Sequence, residues 1–331
     1  MRGIVLREFG GPLTVDDIDK PVAGPGQVLV RVAASGVNPL DTKIRAGEAA
    51  HARHNPPAVL GLDLAGVVEA IGSGVTGLEP GVEVYGLAGG VGGLQGSLAE
   101  YAAVDARLLA RKPAGLSMRE AAALPLAAIT AWEGLVDRAG VHAGQTVLVH
   151  GGAGGVGHIA IQIALALGAE VYATAGPRNL KSVEALGAVP IDHTATPVDE
   201  YVARYTAGDG FDVIFDTVGG TVLDASFTAA RVYTGRVVSA LGWGTHSLAP
   251  LSFRGATYSG VFTLLPMLTG QGREHHGDIL RAVAAMVDDG KLTPVLDPRR
   301  FTLDNVTEAH ETVENGTSSG KIVVEVSGRP V

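Results

Sequence analysis

A run of glycines between two apolar segments constrains the fold of this chain more than any other feature. The run occupies residues 151–157, after a short apolar segment at 147–150 and before a longer one at 159–168. A short apolar segment bounded by turn residues is typical of a buried strand, and a longer one is typical of a buried helix. The order therefore predicts a strand, a tight turn and a helix in direct succession.

Three of these glycines have the spacing that a dinucleotide site needs. Gly152, Gly154 and Gly157 satisfy G-x-G-x-x-G: one glycine makes the turn, one lets backbone approach a pyrophosphate, and one lets the helix pack on the strand. The chain has 47 glycines, so a turn without a ligand is the alternative. In its strand and helix context the motif predicts a Rossmann unit that holds the pyrophosphate at the start of its helix. The expected contacts are Gly152, Ala153, Gly154, Gly155 and Val156.

Composition narrows the class of protein. The net charge is -9 and the sequence has no basic run, which argues against nucleic acid and anionic membranes as partners.

The longest apolar stretch, 159–175, contains Gln162 and Glu170 and is predicted to be core, not a membrane span. The first apolar segment reaches Arg7 and Glu8 too soon for a secretory signal. The sequence has no cysteine, which excludes disulfides and cysteine-ligated zinc, and we expect a cytoplasmic protein.

The spacing of apolar segments divides the chain into two kinds of structure. Residues 28–101 contain short apolar runs broken by glycine and proline, which predicts an irregular, partly barrel-like β unit. From about residue 126, strand and helix patterns alternate, which predicts a doubly wound parallel sheet. The predicted strands are 147–150, 170–175, 189–192, 213–217 and 236–240, and the predicted helices are 155–167, 181–186, 198–205 and 221–231. A helix at 278–288 and a closing strand at 321–326 follow, and we expect this strand to return to the first domain.

The end of the second Rossmann strand bears on the choice of nicotinamide cofactor. Units that prefer NAD place an acid there to bind the ribose 2′-hydroxyl. Residues 173–181 contain no acid, and they include Arg178 and Lys181. A guanidinium suits a 2′-phosphate, so we predict NADPH; alternatively Arg178 only decorates the next helix and the site accepts either cofactor. Because ligands bind at the carboxyl ends of such strands, we also expect contacts from Thr174, Gly176, Thr217, Gly219 and Leu241.

Several segments together resemble one enzyme family. Residues 36–47, 57–68, 121–126, 151–157 and 320–323 are similar to the quinone oxidoreductase branch of the medium-chain dehydrogenase/reductase superfamily. The resemblance implies an α/β fold with a GroES-like β-rich domain at 1–125 and 265–331 and a Rossmann domain at 126–264. It also implies an active site in the cleft, a homodimer through the Rossmann domains, and hydride transfer from NADPH to a quinone or an activated alkene.

The zinc ligands of related enzymes are missing from this sequence. Zinc-dependent relatives carry a cysteine where Val37 and Asn38 stand and Gly-His-Glu where residues 61–63 are Gly-Leu-Asp. We therefore predict a chain that holds no metal. Four histidines with no accompanying cysteine or carboxylate set are expected in surface loops: His51, His54, His275 and His276.

The resemblance points to two candidate catalytic residues. Hydride transfer to an enone leaves negative charge on the carbonyl oxygen, which hydrogen-bond donors must stabilise where no metal does so. Asn38 is the candidate donor; the alternative is that it only caps a helix beginning near Pro39. Lys43 stands where relatives often carry a tyrosine, and either donates a proton or is an ordinary solvated lysine. Asp41 and Arg45 are spaced for an ion pair on the helix surface.

Three further cofactor contacts, Thr130, Phe262 and Lys321, are carried over from the family. Each has a plainer alternative: Thr130 bonds its own helix backbone, Phe262 packs in the core, and Lys321 is solvated. Trp243, between two glycines, shapes either the substrate pocket or a subunit contact.

These expectations define the predicted function. We expect a zinc-independent, NADPH-dependent reductase that acts on a small-molecule quinone or α,β-unsaturated carbonyl. Two alternatives stand beside it. One is a non-enzymatic NADPH-binding structural or regulatory protein, and the other is a zinc-free alcohol dehydrogenase, which would lack a Lewis acid for its alkoxide.

Overall fold

The chain divides into two compact units in the computed structural model, which describes residues 1–327. One unit combines Met1–Leu126 with the chain from Leu264 onward, and the other comprises Ala127–Thr263. The assignment of substrate to the first and cofactor to the second stays a prediction. Among the described residues, no helix has both the length and the apolar character needed to cross a bilayer.

Before residue 127 the first unit contains more strand than helix. Its elements are β1 (Arg2–Leu6), β2 (Thr14–Asp17), β3 (Gln27–Val37), α1 (Pro39–Ala46), β4 (Ala58–Val59), β5 (Asp63–Ile71), β6 (Glu83–Leu87), β7 (Tyr101–Asp105), β8 (Leu109–Arg111) and α2 (Met118–Ala122). Helix α3 (Pro125–Trp132) follows and continues into a π-helical segment, Glu133–Arg138.

The second unit alternates strand and helix. Its elements are β9 (Thr146–His150), α4 (Gly157–Ala166), β10 (Glu170–Ala175), α5 (Leu180–Ala185), β11 (Val189–Asp192), α6 (Val198–Thr206), β12 (Val213–Asp216), α7 (Thr221–Ala229), β13 (Arg236–Ser239), α8 (Ala249–Arg254) and β14 (Thr257–Gly260). The rest of the first unit contains α9 (Leu265–Thr269), α10 (Arg273–Asp288), β15 (Phe301–Thr302), α11 (Val306–Glu314) and β16 (Ile322–Glu325).

The sheet of the second unit is parallel throughout, with the strand order β11-β10-β9-β12-β13-β14. Numbered within the unit this is 3-2-1-4-5-6, the order of a doubly wound dinucleotide-binding sheet. Its central strand β9 is buried on both faces, which is why its sequence is a continuous apolar run. The predicted α/β fold class is confirmed, and the order reverses between β9 and β12, where ligands bind in such sheets.

The larger sheet of the first unit brings the two ends of the chain together. Its order is β15-β16-β3-β5-β6-β8, with β7 also on β3, and a small sheet β2-β1-β4 accompanies it. Strand β16 runs antiparallel to β3, with Ile322 opposite Val37. The residue before Ile322 and the residue after Val37 are therefore neighbours, and these are Lys321 and Asn38.

Candidate active site

The glycine loop lies between β9 and α4, at the point where the strand order reverses. A Cβ on Gly157 would lie 2.1 Å from the carbonyl oxygen of Gly151, and one on Gly152 would lie 2.6 Å from the Cβ of Ala173. Helix and strand therefore pack too closely for any side chain at these two positions. Gly154 is exposed, and a Cβ there would approach Gly151 O only to 3.1 Å. The loop thus leaves room beside its middle glycine, where the first turn of α4 begins.

The start of α4 suits an anion. Within residues 1–327 no side chain caps this helix, and its first turn contains no acidic residue. The first amides of a helix have no intrahelical acceptor, and the helix dipole adds partial positive charge there. The amides of Gly152 and Gly154 already donate to Thr174 O and Gly151 O, each at 2.9 Å. Among the predicted loop residues this leaves the main-chain N–H groups of Ala153, Gly155 and Val156 as the donors that fit a pyrophosphate.

Two threonines hold the loop in place. Thr217 Oγ1, just beyond β12, donates to the carbonyl oxygen of His150 at 2.7 Å. The amide of Gly151 donates to Thr174 Oγ1 at 3.2 Å, and His150 Nδ1 lies 3.1 Å from the same oxygen. Burial lowers the pKa of His150 to about 4, so the ring is neutral near neutral pH. The predicted cofactor contacts Thr174 and Thr217 are therefore at the loop, and their hydroxyls support its backbone.

Hydrogen bonds also connect the carboxyl ends of β12 and β13. Asp216, the last residue of β12, is buried and accepts hydrogen bonds from the amide of Gly219 at 2.9 Å and from Ser239 Oγ at 2.7 Å. The amide of Leu241 donates to Ser239 Oγ at 3.0 Å. Gly219 and Leu241, both predicted contacts, are thus linked across β12 and β13. Sequence reasoning missed Ser239 as the link.

The chain beyond β10 carries the residues predicted to choose the cofactor. Gly176 is half-buried, and Arg178 is exposed on a one-turn helix, Pro177–Asn179. A Cβ on Gly176 would be 4.0 Å from Nε2 of His193, an exposed residue that follows β11. Sequence reasoning also missed His193. The His193 side chain therefore lies close to the predicted cofactor contact Gly176.

Two other predicted contacts, Thr130 and Phe262, lie in α3 and just beyond β14. Thr130 is buried in α3, with its Oγ1 3.0 Å from Thr263 Oγ1. The ring of Phe262 packs edge-on against Trp243, with centroids 6.1 Å apart. Both residues remain predicted contacts, and Trp243 now has a defined neighbour.

A separate buried cluster surrounds Asn38 in the first unit. Asn38 precedes α1, and its Nδ2 donates to Asp63 Oδ2 at 2.9 Å. Lys321 Nζ donates to Asn38 Oδ1 and lies 4.0 Å from Asp63 Oδ2. The main-chain amide of Asn38 donates to Asp41 Oδ2 at 2.8 Å. All four side chains are at most 5% exposed. The predicted helix-start position of Asn38 is thus correct, but its side chain is held by Asp63 and Lys321.

Burial controls the charges of this cluster. It raises the pKa of Asp41 to about 7 and that of Asp63 to about 6, while the ammonium of Lys321 opposes both shifts. Burial also lowers the pKa of Lys321, against the attraction of the two carboxyls. One cation is therefore shared by two acids. In the sequence, Asp63 is a lone acid within the apolar run 57–68, a signal that sequence reasoning missed.

The expected ion pair between Asp41 and Arg45 is wrong. Asp41 is buried and bonds the amide of Asn38, so it forms no surface pair with Arg45, which instead lies 4.0 Å from Glu314. The reason is that Asp41 is the third residue of α1, where a carboxylate can reach back to the residue before the helix. Lys43, two positions on, is exposed, while Asn38 is buried. The catalytic role of Lys43 stays a prediction.

The histidines also differ from expectation. His54 and His276 are buried and not in surface loops as predicted. His54 Nδ1 lies 2.9 Å from the carbonyl oxygen of Gly90, a backbone partner that makes burial of the ring tolerable. In the part of the chain that the structure describes, no three histidine, cysteine or acidic side chains are grouped so as to hold a metal ion.

Comparisons with known proteins agree with this architecture. Residues 24–114 match the family model of the alcohol dehydrogenase GroES-like domain, and residues 186–324 match that of a zinc-binding dehydrogenase. A 2-methylene-furan-3-one reductase of Solanum lycopersicum is 36% identical over 95% of this chain and 76% of its own. An NADPH-dependent alkenal/one oxidoreductase of Arabidopsis thaliana is 35% identical over 98% and 79%. The quinone oxidoreductase of Homo sapiens is 31% identical over 98% and 97%.

Solved structures extend the likeness to the whole fold. A crystal structure of an alcohol dehydrogenase superfamily protein from Novosphingobium aromaticivorans is 56% identical, with a TM-score of 0.97 over 99% of this chain and 100% of that one. A mycobacterial protein solved in complex with NADPH is 28% identical, with a TM-score of 0.85 over 98% and 100%. The chain is therefore an oxidoreductase, and it belongs to the zinc-independent quinone oxidoreductase branch of the medium-chain dehydrogenase/reductase superfamily.

Proposed function

We propose that this oxidoreductase uses NADPH to reduce a small-molecule quinone or α,β-unsaturated carbonyl, without a metal. The observation that carries the proposal is the buried amide of Asn38, held beside a lysine and away from bulk water. A developing oxyanion needs such a preorganised donor. The names of the relatives support the substrate class: they are a furanone reductase, an alkenal/one oxidoreductase and a quinone oxidoreductase.

The proposed cofactor rests on the second unit. The loop of Gly152 to Val156 would hold the pyrophosphate, with the main-chain amides of Ala153, Gly155 and Val156 as donors, and Arg178 would pair with a 2′-phosphate. An NADPH-dependent relative and a relative solved with NADPH support this choice. When bound, the nicotinamide supplies a hydride to the electrophilic carbon.

The residues of the chain then have separate tasks. Asn38 donates a hydrogen bond to the carbonyl oxygen as negative charge develops there, and Lys321 adds positive charge nearby. Thr174 and Thr217 keep the glycine loop in shape. The proton that completes the reduction comes from Lys43 or from water; because Lys43 is exposed, water competes with it for this role.

The experiment is a turnover assay after dialysis against EDTA. We expect NADPH to be consumed in the presence of quinones or enones at the same rate with and without the chelator. Loss of activity with EDTA would contradict the metal-free mechanism. Oxidation of alcohols with NADP⁺, with no reduction of any quinone or enone, would support a zinc-free alcohol dehydrogenase instead.

We also propose a homodimer formed through the Rossmann unit. Strand β14 is the edge of its sheet, and aromatic side chains next to it are exposed, with Phe253 at 87% and Tyr233 at 85%. Exposed apolar patches of this kind mark protein contacts in soluble proteins. A cytoplasmic location stays a proposal that rests on the cysteine-free composition.

A further inference from the structure

The side-chain amide of Asn38 is hydrogen-bonded at both ends, to Lys321 and to Asp63, and these two residues fix its orientation. We call Lys321 and Asp63 together the clamp. An ammonium group can only donate hydrogen bonds, and a carboxylate can only accept them. With Lys321 at one end and Asp63 at the other, Oδ1 must face the lysine and Nδ2 must face the acid. A rotated amide would set N–H against N–H and oxygen against oxygen. The chemistry of the neighbours therefore determines which way this amide points.

Both residues of the clamp, Asp63 and Lys321, are held in place by hydrogen bonds that involve the main chain. The second carboxylate oxygen of Asp63 accepts from the amide of Leu126 at 2.9 Å. The main chain of Lys321 is bonded on both sides, donating to Val295 O at 2.8 Å and accepting from Asp297 N at 3.0 Å. Neither residue needs to be ordered when a substrate binds, which is what a preorganised site requires.

One hydrogen of the amide is left over. The Nδ2 of asparagine carries two hydrogens, and Asp63 accepts one of them. Among residues 1–327 no second acceptor takes the other. We propose that Lys321 and Asp63 are positioning residues that hold Asn38 with this second N–H directed to the substrate carbonyl oxygen. The inference rests on the proposed function and goes beyond it by assigning Asp63 and Lys321 a shared task.

The charge of Lys321 is part of the same task. A buried carboxylate next to a developing oxyanion would oppose the reaction, because like charges repel strongly where water is excluded. Lys321, 4.0 Å from Asp63, balances that carboxylate. The clamp therefore orients the donor without adding net negative charge beside the substrate.

The test is a double-mutant cycle on kcat. We expect Lys321→Met to lower kcat by roughly 100-fold, the usual effect of losing one oxyanion donor, and Asn38→Ala to do the same. If Lys321 acts through Asn38, the double variant is no slower than Asn38→Ala alone. KM for the electrophile should change by less than about threefold. Lys291→Met, at an exposed lysine paired with Asp289, is the matched control and should leave kcat unchanged.

Two outcomes overturn the inference. One is a double variant whose loss is the product of the two single losses, which would make Lys321 a direct participant. The other is an unchanged kcat in Lys321→Met. Asp63→Asn adds a third check, because an amide there can donate or accept and no longer fixes Asn38; we expect a loss of about 10-fold.

A second readout does not depend on turnover. The chain has five asparagines, so asparagine-selective ¹⁵N labelling yields five side-chain amide signals, and Asn38→Ala identifies the one of interest. We expect Lys321→Met and Asp63→Asn to shift that signal and to accelerate its hydrogen exchange. If the enzyme reduces no quinone or enone while these shifts are seen, the proposed function fails and the clamp stands. If the signal is unaffected, the clamp fails.

Discussion

At the scale of the residue, we propose that Arg178 decides between the two nicotinamide cofactors. It is exposed beyond β10, where an acid would repel a 2′-phosphate, and none is present in residues 173–181. We expect Arg178→Ala to raise Kd for NADPH by about 10-fold or more and to change Kd for NADH little, because a guanidinium pairs with phosphate through two hydrogen bonds. Fluorescence titration with both cofactors measures this, and Lys181→Ala, at an exposed neighbour, is the control. Equal effects of Arg178→Ala on both Kd values would end the assignment.

His310 makes stability depend on pH. It lies in α11 at 0% exposure, and neither ring nitrogen has a hydrogen-bond partner in the described part of the chain. Burial, assisted by the nearby cation of Arg45, lowers its pKa from 6.5 to about 4. As pH falls through this interval the unfolded chain binds a proton that the folded chain does not, so stability decreases.

His310→Leu should remove that loss. We expect the free energy of unfolding of the variant, relative to the parent, to improve by about 1.4 kcal/mol per pH unit between roughly pH 6.5 and pH 4. Above pH 6.5 the difference between the two chains should be constant, which serves as the internal control. Urea unfolding at several pH values provides the measurement, and parallel curves across the whole range would show that His310 does not titrate in this way.

The site residues that the sequence identified stand in local motifs, whereas those that it missed have partners far away in the sequence. Asn38 could be singled out because it stands in a local motif beside Pro39. Its partner Lys321 is 283 positions away, and only the pairing of β16 with β3 brings the two together. Asp63 was missed for the same reason. A contact made by sheet pairing leaves no local pattern in the sequence.

At the scale of the element, five of the six strands of the parallel sheet were predictable to within a residue or two, because each is a short run rich in apolar residues that ends at glycine or a polar residue. Strand β14 was not predicted: it reads Thr-Tyr-Ser-Gly and is mostly exposed at the sheet edge. Its strand character comes from pairing with β13, not from its own sequence. Helix α8 was also not predicted, since it has only six residues and proline is its second residue.

The junction of β9 and α4 depends on glycine for its fold, whatever it binds. A Cβ at Gly157 would collide with backbone at 2.1 Å, and backbone cannot move aside as a flexible side chain can. We expect Gly157→Ala to cost about 2 kcal/mol or more in the free energy of unfolding. Gly115→Ala is the matched control, since no atom lies within 4 Å of the added methyl group, and it should be nearly neutral. Urea denaturation compares them; equal stability of the two would contradict the close packing described.

The proposed dimer is a property of the whole molecule. We expect a solution mass of about twice 33.7 kDa by light scattering. Phe253→Glu should give a monomer, because it places a charge in an apolar contact, whereas Val22→Glu, at an equally exposed valine of the other unit, should leave the mass unchanged. A monomeric parent chain would contradict the proposal directly.

The pairing of the last strand with β3 also has a consequence for synthesis on the ribosome. The edge of β3 that receives β16 is made early, and its partner is translated 285 residues later, from Val37 to Ile322. At ordinary translation speeds this takes roughly a quarter of a minute to a minute. During that time the nascent chain displays an unpaired, apolar strand edge, the feature through which chains aggregate. The Rossmann unit is a single stretch of sequence and does not depend on a later segment. We therefore expect it to fold first, and the β-rich unit to complete its sheet when β16 is made.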